Sequence, residues 1–208
     1  MSSRDAILAR LGRHSATAWP AKTQETAERG EPEFLIERFA ALANDTQMTV
    51  EQITASNTLP DRVASYLARE QLDTNIVLQA GLALDKQAWE AAGLCVERAE
   101  VSADNDVYVG MGLAVVADCG ALVIGTGSGE SLKSEFLTRT HIAVVNAQHV
   151  MPDLGTLWVY LQATYQARLP REFCLVTGPS RTADLGVPAK LGAHGPERVH
   201  VIISSEDP

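Results

Sequence analysis

Short apolar runs of strand length alternate along this chain with segments of helical periodicity, and that alternation restricts the fold more tightly than any single motif does. Strand-length runs stand at 75–79, 94–97, 142–145, 173–176 and 199–203. Helical signals at about 61–70 and 83–92 follow the same rhythm. Pro32 starts another helix running through Ala43, with Phe34, Leu35, Phe39 and Leu42 at helical spacing. The clearest amphipathic pattern is Leu154, Leu157, Trp158, Leu161 and Tyr165, just after Pro152. Residues 132–137 add a short turn or helix. Between 107 and 127, the glycine-broken runs V-Y-V-G-M-G-L-A-V-V-A and G-A-L-V-I-G-T flank a compact D-C-G turn, the pattern of adjacent antiparallel strands. The expected fold is α/β: a layered, mostly parallel sheet flanked by helices.

A chain of 208 residues that is 46% apolar can bury the core of one such domain, read here as 31–208. Residues 1–30 read as an N-terminal helix and polar arm. The helix, at 2–11, carries Ile7, Leu8 and Leu11 on one side, and Trp19 is the one large aromatic group of the polar stretch after it. That arm can pack on the domain or on a partner. The 17 basic residues against 26 acidic ones give a net charge of -9, which repels a nucleic-acid backbone but leaves room for a local basic patch that holds a small anion. No apolar run approaches the roughly 20 residues of a membrane span, and no secretion signal opens the chain, so the cytoplasm is the expected compartment.

The segment V-T-G-P-S-R-T-A-D-L at 176–185 sets a tight turn, a hydroxyl, a guanidinium and a carboxylate at a strand end, where α/β proteins commonly bind small ligands. In one reading Arg181 offers its planar fork to a carboxylate or phosphate, and Ser180 with successive backbone N–H groups completes an anion nest. In the other, Arg181 pairs with Asp184 and Ser180 caps a turn. The glycine-rich segment 125–130 follows an apolar strand, so Thr126, Gly127 and Ser128 either contact a ligand or form a structural turn. Its spacing is neither G-x-G-x-x-G nor a phosphate loop. H-G-P at 194–196 makes a second sharp turn, lying near the first if their parent strands are neighbours. There His194 meets an anion, exchanges a proton or bonds locally.

His141 and His200 fall in apolar runs and read as structural. Asp118 reads as a turn residue, and Asp104 and Asp106 alternate sides of an extended chain. The histidine spacing gives no metal motif. Ser180 lacks an identifiable histidine base and a G-x-S-x-G context, and nothing selects Glu130 or Glu135 as a nucleophile. Cys95 and Cys174 read as buried strand residues and Cys119 as a turn residue, too widely spaced for a C-x-x-C pair or a cluster-binding run.

Four segments together carry a specific likeness: G-L-A-V-V-A-D-C-G-A-L-V-I-G-T-G at 112–127, T-H-I-A-V-V at 140–145, G-P-S-R-T-A-D-L at 178–185 and G-A-H-G-P-E-R-V-H-V-I-I at 192–203. Through them the chain, over roughly 35–205, resembles the lactate-utilization protein C group of the LUD domain family, also called the YkgG or DUF162 family. The resemblance implies a fold similar to the NagB/RpiA/CoA-transferase class. It also implies an accessory role in oxidation of L-lactate to pyruvate, with no cofactor in this chain and iron-sulfur clusters on separate partner proteins. Gly178, Pro179, Ser180, Arg181, Thr182, Ala183 and Asp184 match one family turn, and His194, Gly195 and Pro196 match the other. The ligand-binding candidates are therefore Thr126, Gly127, Ser128, Gly178, Ser180, Arg181, Asp184 and His194. Where the family often carries acidic residues, this chain has Ile124-Gly125 before one turn and Gly186 after the other. Two other functions stay open: a CoA- or phosphosugar-handling enzyme using Ser180 and Arg181, and a non-catalytic regulatory or interaction module.

Overall fold

The computed structural model describes residues 4, 30–79, 82, 86–97, 107–126, 132–165, 169–182, 190–192 and 194–206. The arm read at 1–30, apart from Arg4 and Gly30, lies outside these residues, as do Asp104, Asp106, Gly127, Ser128, Glu130 and Asp184. In chain order, α1 (Pro32–Asp45) leads to β1 (Thr49–Ile53), α2 (Leu59–Arg69), β2 (Asn75–Leu78), α3 (Lys86–Ala91), β3 (Cys95–Glu97) and β4 (Val107–Met111). There follow β5 (Ala114–Val116), β6 (Ala121–Gly125), α4 (Lys133–Leu137), β7 (Thr140–Asn146), β8 (Val150–Met151) and α5 (Leu154–Thr164). The chain closes through β9 (Phe173–Val176), β10 (Arg181–Thr182), β11 (Lys190–Leu191) and β12 (Arg198–Ser204).

Strands buried on both faces must be apolar throughout, and β7 and β12 meet that requirement at the centre of a six-stranded parallel sheet ordered β1-β12-β7-β4-β2-β3. Alternation along each strand divides the core. Ala143 and Val145 join Val199, Val201 and Ile203 under Leu35, Ile36 and Phe39 of α1. On the other face, Ile142, Val144 and Ile202 pack with Leu59, Val63 and Leu67 of α2 and Trp89 of α3. Helices therefore cover both faces, as the alternation of signals implies.

The glycine-broken runs form two sheets rather than one hairpin. β5 and β6 do pair antiparallel, but β4 stays in the main sheet while β5 enters a second sheet ordered β8-β5-β6-β9. The crossing lies at Gly112, whose N–H donates to the Val144 carbonyl at 2.8 Å, while the next N–H, from Leu113, donates to Val123 at 2.8 Å. A side chain at 112 would begin 2.6 Å from Val145 and 2.9 Å from Leu122, so only glycine lets the two sheets pass this close. One face of the second sheet completes the α1 core, and the other packs Ala114, Val116, Ala121 and Val123 on Leu157 and Leu161 of α5. Asp153 caps α5 by accepting the Thr156 N–H at 2.7 Å.

Several side chains depart from the sequence pattern. Phe34 and Leu154 are exposed, while Ile36 is buried on α1 and Leu157 and Leu161 carry the buried stripe of α5. Cys95 is exposed and Cys174 half-buried, because β3 and β9 are edge strands with a neighbour on one side only. Cys119 is exposed in its turn. Asp118, in the same turn, pairs with Arg38 at 2.7 Å and ties that turn to α1.

His141 and His200 are buried, as expected of structural residues. The His141 ring lies against Tyr108, and burial lowers its pKa to about 4. His200 stacks on Tyr66 with ring centroids 4.0 Å apart, and its Nδ1 shares a 2.8 Å hydrogen bond with the Thr49 hydroxyl. Burial, aided by the Arg69 charge, lowers it to about 4 against a hydrogen bond to the Thr49 backbone, and the Glu51 carboxylate lies 3.8 Å from its Nε2. The unfolded chain takes up these protons near pH 6.5 and the folded chain only near 4. Their stabilisation is thus complete above pH 6.5 and is lost as pH falls toward 4, on the order of 3 kcal/mol for each ring. Urea unfolding between pH 7 and 4 is expected to show this decline, and His141→Gln to remove part of its slope. A flat profile across the window would refute the assignment.

Candidate functional site

The two sharp turns expected from sequence form one hydrogen-bonded unit. β9 runs into Thr177, Gly178, Pro179 and Ser180, after which β10 pairs antiparallel with β11. The Ser180 N–H donates to the Pro196 carbonyl at 2.8 Å, and the Gly192 N–H donates to the Ser180 carbonyl at 2.9 Å. The His194 N–H donates to Ser180 Oγ at 3.3 Å. Ser180 therefore clasps the H-G-P turn, and Phe136 of α4 closes against Gly195.

Arg181 crosses to the end of α1. Its guanidinium donates to the Thr46 carbonyl at 3.1 Å and to Gln47 Oε1 at 2.6 Å, and its side chain is otherwise exposed. Gln47 holds a left-handed backbone, φ 68°, as the chain leaves α1. Gly178 passes beside Thr46 with φ +143°, and a side chain there would begin 2.8 Å from the Thr46 carbonyl oxygen. This contact explains the glycine of the G-P-S-R turn. Below the H-G-P turn, the Glu197 and Arg198 N–H groups both donate to the Arg139 carbonyl, at 2.8 and 3.1 Å. Glu197 receives the Arg139 guanidinium at 3.2 Å and lies 3.8 Å from that of Arg198, so two cations share one carboxylate on this rim.

The arrangement changes the chemistry read from sequence. The Ser180 N–H bonds within the unit, so it does not join an anion nest, and His194 reaches Ser180 through its main chain rather than its imidazole. A serine nucleophile needs a ring nitrogen at its hydroxyl, which this contact does not supply. The exposed His194 and the exposed Arg181 are the groups presented outward, with Ser180 half-buried beside them.

Thr126 belongs elsewhere. It is buried, its N–H and hydroxyl donate to the Glu172 carbonyl at 3.0 and 3.3 Å, and its Oγ1 accepts the Glu172 N–H at 3.2 Å. Because β6 and β9 are antiparallel, Thr126 stands at the start of β9 and Ser180 beyond its end, roughly 13 Å of strand apart. Thr46, Gln47 and Phe136 also belong to the joined-turn unit. No periodicity signals them, since each is brought in by tertiary contact. Among the described residues, no group of three or more His, Cys, Asp or Glu could hold a metal ion.

Residues 8–204 match the family model described as the LUD domain, beginning well before the motif-based likeness does. A Lactate utilization protein C of Geobacillus sp. (strain WCH70) is 24% identical over 127 residues, covering 59% of this chain and 52% of that protein. The one from Halalkalibacterium halodurans is 28% identical over 110 residues, covering 52% and 46%. This chain thus spans about half the length of these relatives. A longer match, 25% identical over 180 residues, covers 81% of this chain and 77% of the Macrococcus caseolyticus protein of the same name. In fold the chain is similar to the crystal structure of a DUF162 family protein from Deinococcus radiodurans, with a TM-score of 0.61 at 14% identity, over 84% of this chain and 98% of that one.

Gly178→Ala is expected to destabilise the fold by about 1–3 kcal/mol, through its left-handed backbone and the clash with Thr46. Urea denaturation measures this, and a change within error would show that the turn relaxes freely.

Proposed function

The chain belongs to the LUD domain family, and from that premise we propose that it is an accessory subunit of a lactate-utilization system that oxidises L-lactate to pyruvate. The observation that carries this reading is its match to relatives named Lactate utilization protein C, one of them along 81% of the chain. In this proposal the electrons pass through iron-sulfur clusters on separate partner proteins. The chain supplies the unit of joined turns around Ser180, Arg181 and His194. The geometry supports a positioning or docking role there, because Ser180 and Arg181 brace neighbouring elements and the outward groups form a rim with surplus positive charge.

A second reading, a CoA- or phosphosugar-handling activity, draws on that same rim, where Arg139 and Arg198 share the Glu197 carboxylate and Arg181 stands exposed. It requires saturable binding of CoA or a sugar phosphate that Arg181→Ala weakens, measurable by calorimetry. Gly178, Asp184 and the loop residues Gly127 and Ser128 are secondary candidates in either case.

Lactate-dependent dye reduction in a reconstituted mixture with the cognate iron-sulfur proteins tests the leading reading. Activity is expected to fall to background when this chain is omitted and several-fold with folded Arg181→Ala. Equal rates without the chain would remove it from the oxidation and leave the anion-handling reading.

A further inference from the structure

The joined turns stand at the amino ends of the parallel sheet, since Gln47, Arg139 and Pro196 lie just before β1, β7 and β12. Open α/β sheets hold ligands at the other end, in the crevice outside the carboxyl ends of strands whose connections leave to opposite faces. That condition is met here. From β7 the chain turns through Ala147 and Gln148 into β8, on the α1 side of the sheet, whereas from β1 it enters α2 on the opposite side.

At this carboxyl end a cavity of about 610 Å³ opens between the start of α1, the residues after β7, β8 and one side of α5. Such a volume encloses a small organic molecule. Leu35, Val150, Met151 and Val159 give it apolar walls, and Gln148, Thr156 and Tyr160 bring an amide and two hydroxyls to them. The His149 ring lies 5.0 Å from that of Tyr160 and braces the phenol at the wall. Charge separates the ligand classes. Glu31 is the one carboxylate among the described lining residues, and no lysine or arginine is among them, so an anion would meet a like charge and no counter-charge. A neutral molecule loses nothing by that, and the phenolic O–H and the amide N–H can each donate to an uncharged oxygen.

We propose that this cavity is a small-molecule binding site, separate from the joined turns, for a neutral and predominantly apolar ligand that carries a carbonyl oxygen. The carbonyl accepts from Tyr160, and the carbon skeleton lies on Leu35, Val150, Met151 and Val159. Neither the lactate assignment nor the anion-handling reading enters this inference.

Equilibrium dialysis of the full chain with methyl naphthyl ketone tests it. Saturable binding is expected, about ten-fold tighter than that of naphthoate, an anion of similar outline. Ala163→Phe fills the cavity and Val159→Glu puts a charge on its wall. Both alter exposed positions, and each is expected to weaken ketone binding about ten-fold while circular dichroism stays unchanged. Tyr160→Phe should weaken the ketone several-fold and leave the binding of ethylnaphthalene, which has no acceptor, as it was. Binding that does not saturate, that naphthoate equals, or that these three substitutions leave unmoved would overturn the proposal. A dimer in sedimentation velocity that Val159→Glu dissociates, with no ketone bound, would give the cavity to a second copy and overturn it as well.

Discussion

The pairing of β7 between β12 and β4 is the interaction on which the rest of the structure depends. Seven consecutive residues, Thr140–Asn146, are buried there, all paired in parallel with β12 and the first five also with β4, so backbone polar groups are paired where water cannot reach them. The candidate site hangs from the edges of that strand. Just before it, the Arg139 carbonyl accepts two N–H groups from Glu197 and Arg198, which aligns β12 and sets the H-G-P turn above the sheet. Beside it, Val144 accepts the N–H of Gly112, where the chain leaves the main sheet to build the second one. The second sheet in turn ends in β9, whose continuation carries Gly178, Ser180 and Arg181 back over α1.

The joined turns are consequently a rigid feature. Ser180 is hydrogen-bonded to both arms of the H-G-P turn, Arg181 meets Thr46 and Gln47 at the end of α1, and Gly178 lies against the same Thr46. Hydrogen bonds made within the unit cannot also be offered to a ligand, which is why a motif that reads as an anion nest becomes a brace. Beside it stand the exposed His194 and a guanidinium, that of Arg181, held in place by Thr46 and Gln47. Such a pattern suits recognition of a partner or anion, because its geometry is held before anything arrives.

The core histidines are buried with one ring nitrogen each, Nε2, left without a hydrogen-bond partner. Thr49 and Tyr66 hold His200 between β1, β12 and α2, and the cost of burying imidazole stays modest only while the ring is neutral. Their place in apolar strands was evident from sequence. Their partners were not, because Thr49 lies 151 residues from His200 and meets it only when β1 joins the far side of β12.

Periodicity and turn residues carried the parallel strands, the helices and the glycine turns, since the burial of one face leaves a regular mark on a short segment. The same local marks showed that 178–182 and 194–196 were sharp turns at strand ends. They were silent on β1, whose T-V-E-Q-I pattern is half polar, and on the partition of 107–127 into two sheets, since an apolar run looks the same whichever sheet takes it. They likewise placed Thr126 in a candidate site that the antiparallel course of β6 and β9 puts at the opposite end of a strand from Ser180. The amino-acid sequence by itself determined the apolar central strands, the main helices and the tight turns, because those depend on neighbours a few residues away. Only the tertiary structure decided that Ser180 would hold His194 and that Arg181 would reach Gln47, because hydrogen bonds across 14 and 134 residues exist only once the sheets have closed.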